Sequence, residues 1–343
     1  MLLNTLIKDE KNINKELYSL GSFWSHKTNS AISNIKKKGL KDFRGLKSGV
    51  GTGFSDNIVL DIENELNLIG RIVKKLIYRF PLINTVLKLQ RRQTLHAINN
   101  YLINEKIVYQ NDKDAINLLK KYKFENTTNF GCVRKVTYLD KQVSIHYLEI
   151  ANRIEELSSS FNFNKINSFF EIGGGFGANV HFLVTNFPNI KKIVYLDAVP
   201  NIYVGTEYLR SHFKDKVKDY TTLRNLDKIS FSKNNDLEIL CITPWLIEKL
   251  DIEFDHFHNA YSFVEMPKKV VENYAKFVKK FKTKETSLIS YDDFTLNTVF
   301  KSNPEYLNKY FDDKLNVVKK NTLIDDHNNS IYGRGKDIYL TSK

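Results

Sequence analysis

Cysteine is nearly absent: Cys132 and Cys241 are the only 2 in 343 residues, far apart and without metal-ligand spacing. That excludes a disulfide-stapled scaffold and suits a reducing compartment. No apolar run approaches the roughly 20 residues that a membrane helix needs. The opening MLLNTLIKDEKN also lacks the charged, apolar, small-residue order of a secretion signal. The chain is therefore expected to be soluble and cytoplasmic. No His-x-x-x-His pair or cysteine cluster is present to seat zinc, so no metal is expected. Internal repeats and low-complexity linkers are missing as well, which argues against a tethered module.

What is present is a chain 42% hydrophobic and 13% aromatic, enough for a sizeable core. The formal net charge of +13 comes from 52 Lys+Arg against 39 Asp+Glu. The lysines are scattered, and no motif interleaves them with base-stacking aromatics, so nucleic acid is not expected as a partner. An anionic acceptor such as a nucleotide sugar or an acidic glycan is compatible with this charge.

The most informative stretch is SFFEIGGGFGANVHFLVTNFPNIKKIVYLDAVP, Ser168 to Pro200. Ser168 to Ile172 is a short apolar run of the kind that makes a buried parallel strand. Gly173, Gly174, Gly175 and Gly177 break it, and Ala178 to Phe187 has helical periodicity. Ile193 to Leu196 is a second strand, ending in Asp197. A glycine turn brings backbone N–H groups against a ligand, and an acid at the next strand tip can take ribose hydroxyls. The glycines fit G-x-G-x-x-A, as in a nicotinamide-dependent dehydrogenase, and equally acid-x-G-x-G-x-G. Glu171 separates the two. A carboxylate there would repel a dinucleotide pyrophosphate and attract the ammonium of an amino-acid-bearing cofactor. The stretch thus resembles motif I of the class I S-adenosylmethionine-dependent methyltransferases, with Asp197 as the ribose acid. The cofactor set is Glu171, Gly173, Gly174, Gly175, Gly177 and Asp197, joined by Trp245 and Asn259.

The remaining pattern is α/β: a Rossmann-like, mostly parallel sheet over 143–343, preceded by an N-terminal helical cap over 1–142. Before the glycine turn, Leu2 to Leu20, Ser22 to Lys38, Lys113 to Tyr122 and Val143 to Ser160 read as helices. Phe23 and Trp24 are expected to pack. Lys135 to Gln142 is a hairpin or an ordered turn. The loop Gly49 to Asn57 is a surface turn or a lid. The amphipathic stretch Ile62 to Leu102 packs on a neighbour or touches a membrane surface, without inserting. After the turn, strands are expected at Leu237–Thr243, Phe254–Ala260 and Thr286–Tyr291. A final pair at Leu315–Lys319 and Asp337–Thr341 could then close the sheet. Trp245 stands where such sheets hold adenine, though a core position is equally compatible.

FDHFHNAYSFVEMP, Phe254 to Pro267, sets polar residues at the carboxyl end of the fourth strand, where ligands of open α/β sheets gather. It resembles the post-strand segment of class I methyltransferases. With FW at Phe23-Trp24, FRG at Phe43 to Gly45, GTGFSD at Gly51 to Asp56 and EIGGGFGANVHFL, it is similar to a bacterial family of sugar O-methyltransferases. That resemblance implies methylation of a hydroxyl on a sugar or glycan precursor, for polysaccharide biosynthesis. Asn259-Ala260-Tyr261 lacks both prolines of the Asn-Pro-Pro-Tyr motif of amine methylation. A sugar hydroxyl needs a general base. Glu265, His258 and Asp292 are the candidates, although strand alternation could turn His258 into the sheet–helix interface. Asp292-Asp293 could instead hold a divalent ion or cap a helix. Two further readings stay open: a nicotinamide-dependent oxidoreductase of a sugar nucleotide, and a non-catalytic adenosyl-binding scaffold.

Overall fold

The structure is a computed structural model that describes residues 2–44, 50, 113–132, 136–138, 141–291, 304–321 and 336–342. Loop residues 49 and 51–57, helix stretch 62–102 and Asp292-Asp293 lie outside the described residues. The chain opens with helices α1 (Leu2–Glu10), α2 (Lys15–Tyr18) and α3 (Ser22–Lys38). The single helix expected over Leu2 to Leu20 is broken because Asn14 leaves it and caps α2, its side chain accepting from the Glu16 N–H. Helix α4 (Lys113–Lys121) follows, then a hairpin of β1 (Val136–Tyr138) and β2 (Lys141–Val143), then α5 (Ile145–Leu157).

Strand β3 (Ser168–Ile172), helix α6 (Ala178–Asn186), strand β4 (Lys192–Leu196) and helix α7 (Asn201–Phe213) take the expected order. The polar passage beyond α7 holds two small elements that periodicity did not flag, β5 (Val217–Lys218) and α8 (Tyr220–Leu223). Then come β6 (Glu238–Ile242), β7 (His256–Ala260), α9 (Lys268–Lys280) and β8 (Glu285–Tyr291). Helix α10 (Pro304–Tyr310) and strands β9 (Asn316–Asn321) and β10 (Lys336–Thr341) end the described chain.

The strands form one sheet in the order β5-β6-β4-β3-β7-β8-β10-β9. Pairing is parallel from β5 to β8, and β10 runs antiparallel between β8 and β9. Every residue of β4 and β6 is buried, as continuous apolar runs require when helices cover both faces. On one face Phe170 meets Phe254, Phe257 and Phe281; on the other Phe169 stacks on His256. From β3 the chain winds outward to β4 and β6, then returns to β7 on the other side. The topological switch therefore lies between β3 and β7, and the ligand crevice of such a sheet opens above their carboxyl ends. Among the described residues no helix is long and apolar enough to cross a membrane.

Candidate active site

The glycine turn links β3 to α6 at the switch point. Gly173, Gly175 and Gly177 take left-handed φ values of 76°, 63° and 86°. Gly174 is held by proximity: a Cβ there would stand 2.5 Å from Glu171 Oε2 and 2.8 Å from the Tyr195 ring. Side chains from the strands brace the turn. Tyr195 Oη donates to the Gly175 carbonyl at 2.7 Å, and the Gly175 N–H donates to Asp197 Oδ2 at 2.8 Å. Phe176, at the tip, packs edge-on against Phe43 and Tyr208 and lies under the Arg44 guanidinium, 4.9 Å from its ring centre. Arg44 is fully buried, donating to the Thr127 carbonyl at 2.7 Å and Ser144 Oγ at 3.0 Å. The Phe43-Arg44 segment thus works as a wedge behind the turn.

Glu171 is buried at the end of β3. Its Oε1 accepts from Asn179 Nδ2 at 2.8 Å, while Oε2 is buried with no hydrogen-bond partner. Burial pushes this carboxyl up to about 7, and the Asp197 charge adds to the rise. Asp197, at the tip of β4, also accepts the Ala198 N–H at 2.7 Å through Oδ1. Burial raises it to about 7 as well, against the pull of its backbone donors, and it feels the charge of Glu265. Asp197 thus acts on Glu171, and Glu265 on Asp197, each charge raising its neighbour.

Asn259, next to last in β7, turns its side chain inward: Nδ2 donates to the Ile172 carbonyl at 2.8 Å and Oδ1 accepts the Phe263 N–H at 3.1 Å. Those bonds set the turn that carries Glu265. Its Oε2 accepts from Trp24 Nε1 at 2.6 Å, and the Lys27 ammonium stands 5.4 Å over the Trp24 ring, within reach of the Glu265 charge. The entry to α3 is pressed close: a Cβ on Gly21 would stand 2.1 Å from the Glu265 carbonyl oxygen. Helices α1 and α2 extend this cover. Asp9 accepts from Tyr220 Oη at 2.8 Å and Arg224 at 2.7 Å, and Tyr18 Oη donates to Glu248 at 2.5 Å. The N-terminal helices so run from α8 to α9 across the carboxyl edge of the sheet.

The other sequence candidates make different contacts. Trp245 is half-buried, donating from Nε1 to Tyr220 Oη at 3.1 Å and meeting that ring edge-on. His258 is buried inside the sheet–helix layer, its Nδ1 2.8 Å from Ser287 Oγ, and burial holds its pKa well below the usual imidazole range. Asp292 is outside the described residues. Sequence reasoning missed Asn179, Tyr195 and the polar role of Trp24.

No protein-family model matches the chain, and no curated protein matches it. Among solved structures it is similar to the methyltransferase domain of bacterial CtHen1, at 10% identity and TM-score 0.39 over 57% of this chain and 97% of that one. The magnesium protoporphyrin IX methyltransferase ChlM of Synechocystis PCC 6803, with bound SAH, is similar at 8% identity and TM-score 0.38, over 71% and 100%. Mitomycin 7-O-methyltransferase MmcR is similar at 13% identity and TM-score 0.37, over 58% of this chain and 53% of its own length.

Proposed function

We propose that this chain transfers a methyl group from S-adenosylmethionine to a hydroxyl of a sugar or glycan precursor. The observation that carries the reading is the charge of the crevice. Glu171 and Asp197 are buried beside the glycine turn, Glu171 keeps an oxygen without a partner, and both carboxyls sit near 7. A cation in the crevice would be stabilised by these acids; a dinucleotide pyrophosphate would meet them with like charge. S-adenosylmethionine carries a sulfonium and an ammonium, and its ribose can reach an acid at a strand tip. The residues therefore fit the cofactor: Glu171 for the amino-acid end, the Gly173 to Gly177 turn for the close approach, Asp197 for the ribose.

When bound, the cofactor supplies an electrophilic methyl on a sulfonium that departs as a neutral thioether. The protein must hold the acceptor oxygen in line with that methyl and take its proton. Alignment can contribute roughly 7–11 kcal/mol, and a positioned base about 10²–10⁴-fold. Glu265 is the favoured base, because it stands on the crevice rim and its carboxylate is oriented by Trp24. The buried, neutral His258 is less suited. The saccharide acceptor rests on the resemblance carried by Phe23-Trp24 and by Phe43 to Gly45. Those segments support it further, since Trp24 meets Glu265 while Phe43 and Arg44 meet Phe176.

Calorimetric titration with S-adenosylmethionine, S-adenosylhomocysteine and NAD tests the reading. Both adenosyl ligands are expected to bind and NAD is not. Tight NAD binding without either adenosyl ligand would discard it.

A further inference from the structure

Helix α10 is seated on the sheet by Leu307 and by Phe311, the residue that follows its last turn. Both are buried, and the Phe311 ring stacks on Phe257 of β7 at 6.3 Å. A residue one position before Leu307 falls about 100° away round the helix, so Tyr306 points off that contact and 41% of it stays exposed. Among the residues whose side chains are described, Tyr306 carries the one exposed aromatic ring.

A single exposed ring needs no explanation by itself; the charges gathered on this one do. The Lys268 ammonium, from the first residue of α9, lies 4.2 Å from the ring centre, and Lys309 reaches the same ring at 5.4 Å. Among the described residues neither ammonium makes an ion pair or a hydrogen bond, and Tyr306 Oη makes no hydrogen bond. Other lysines of α9 are neutralised: Lys269 pairs with Glu16 and Lys279 with Asp312. Glu272, one turn along α9 from Lys268, acts on Lys269 and Tyr310 instead. Two ammonium groups on one ring without a carboxylate repel each other, and an anion between them would be attracted by both. The place matters as well. Lys268 follows Glu265 by three residues, so at most about 11 Å of backbone separates them.

We propose that Lys268, Lys309 and Tyr306 form a subsite for an anionic group of the acceptor, the carboxylate or phosphate of an acidic sugar, held while a hydroxyl of the same molecule lies at Glu265. This rests on the saccharide reading and deepens it by naming the acceptor's class: a charged sugar, not a neutral one. The ammonium groups supply attraction, and the Tyr306 hydroxyl a hydrogen bond to an anion oxygen.

Glucose, glucuronate and glucose 1-phosphate, titrated against the full chain by ligand-detected nuclear magnetic resonance with and without S-adenosylhomocysteine, test it. The charged sugars are expected to bind roughly tenfold more tightly than glucose, and raising ionic strength to about 1 M should shrink that margin. Lys268→Gln with Lys309→Gln should remove it. Lys269→Gln with Lys279→Gln, which takes two paired lysines from the same helix, should leave it within about twofold. All four side chains are exposed, so both variants are expected to fold. A margin confined to one charged sugar supports the subsite and names its anion. Equal binding of the three sugars would overturn the subsite and leave the saccharide reading standing. A margin that survives loss of Lys268 and Lys309, or that falls equally in the control pair, would overturn it too. If no sugar binds, subsite and saccharide acceptor fall together, while the S-adenosylhomocysteine titration judges the cofactor separately.

Discussion

The two ends of the same parallel strands treat their acids in opposite ways. At the amino end, Glu238 opens β6 opposite Lys192 of β4 and binds Lys192, Lys218, Ser232 Oγ and the Ser232 N–H. The lysine and serine donors together overcome the burial that would raise it, and hold the carboxyl down at about 2. Asp255, also at that end, takes the Asn167 and Ser168 N–H groups and Lys284, and is likewise lowered. At the carboxyl end, Glu171 and Asp197 are buried like Glu238, yet burial leaves both near 7. One end ties its carboxylates to lysines and backbone donors; the other leaves a Glu171 oxygen without a partner beside a glycine turn. That contrast is what supports the proposal of a cationic ligand at the carboxyl end.

The largest effect that can break this comparison is catalytic. Glu265→Gln keeps the shape and the contact with Trp24 but cannot take a proton, so turnover of a hydroxyl acceptor should fall at least about 100-fold. S-adenosylhomocysteine affinity should change little. Unchanged turnover in a stopped assay would make Glu265 a tether for α3 and nothing more.

Asp197→Ala comes next. It should weaken adenosyl-ligand binding by at least roughly tenfold, since two charge-assisted bonds to ribose are lost. The side chain also accepts the Gly175 and Ala198 N–H groups, so a destabilisation of about 1–3 kcal/mol should accompany it. Stability loss with unaltered ligand affinity would reduce Asp197 to a brace.

Glu238→Gln is the counterpart at the amino end. It should cost about 1–3 kcal/mol in urea unfolding and leave ligand affinity within about twofold. The sign with pH follows from the lowered carboxyl: its stabilising contribution is complete above the ordinary value of 4.5 and is lost as pH falls through about 2. If the substitution moves ligand affinity as strongly as Asp197→Ala, the two ends are not independent.

The smallest effect is the proton count. Carboxyls raised to about 7 cost the ligand-free protein nothing below the ordinary carboxylate range, and the cost grows as pH climbs through about 7. A cationic ligand should pull both values down. Binding at pH 6 is therefore expected to release protons, and binding at pH 9 almost none, as read from calorimetry in buffers of different ionisation enthalpy. Proton uptake at pH 6 would reverse the sign and contradict a cationic ligand.

Much of this was legible in the chain, for reasons that differ by residue. Strand β3 and the start of α6 fall where the apolar run and the glycines put them, and β6, β7, β8 and the closing pair lie within a residue or two of their expected bounds. Period and punctuation are local properties, so a local reading finds them. The short elements β5 and α8 were not legible, because two to four residues carry no period. His258 shows the limit of strand alternation: the register decides which face it meets, and the partner Ser287 comes from β8.

What the sequence determined by itself is the order of strand, turn and helix, the acid before the glycines and the acid after the second strand. Those are set by neighbours a few residues apart, through backbone sterics and side-chain periodicity. Only the tertiary structure decided which distant groups those acids meet. Trp24 reaches Glu265 across 241 positions, and Tyr195 props the turn from beneath. Such meetings depend on how helices settle over the carboxyl edge of a twisted sheet, a consequence of packing the whole core that no short window of sequence contains.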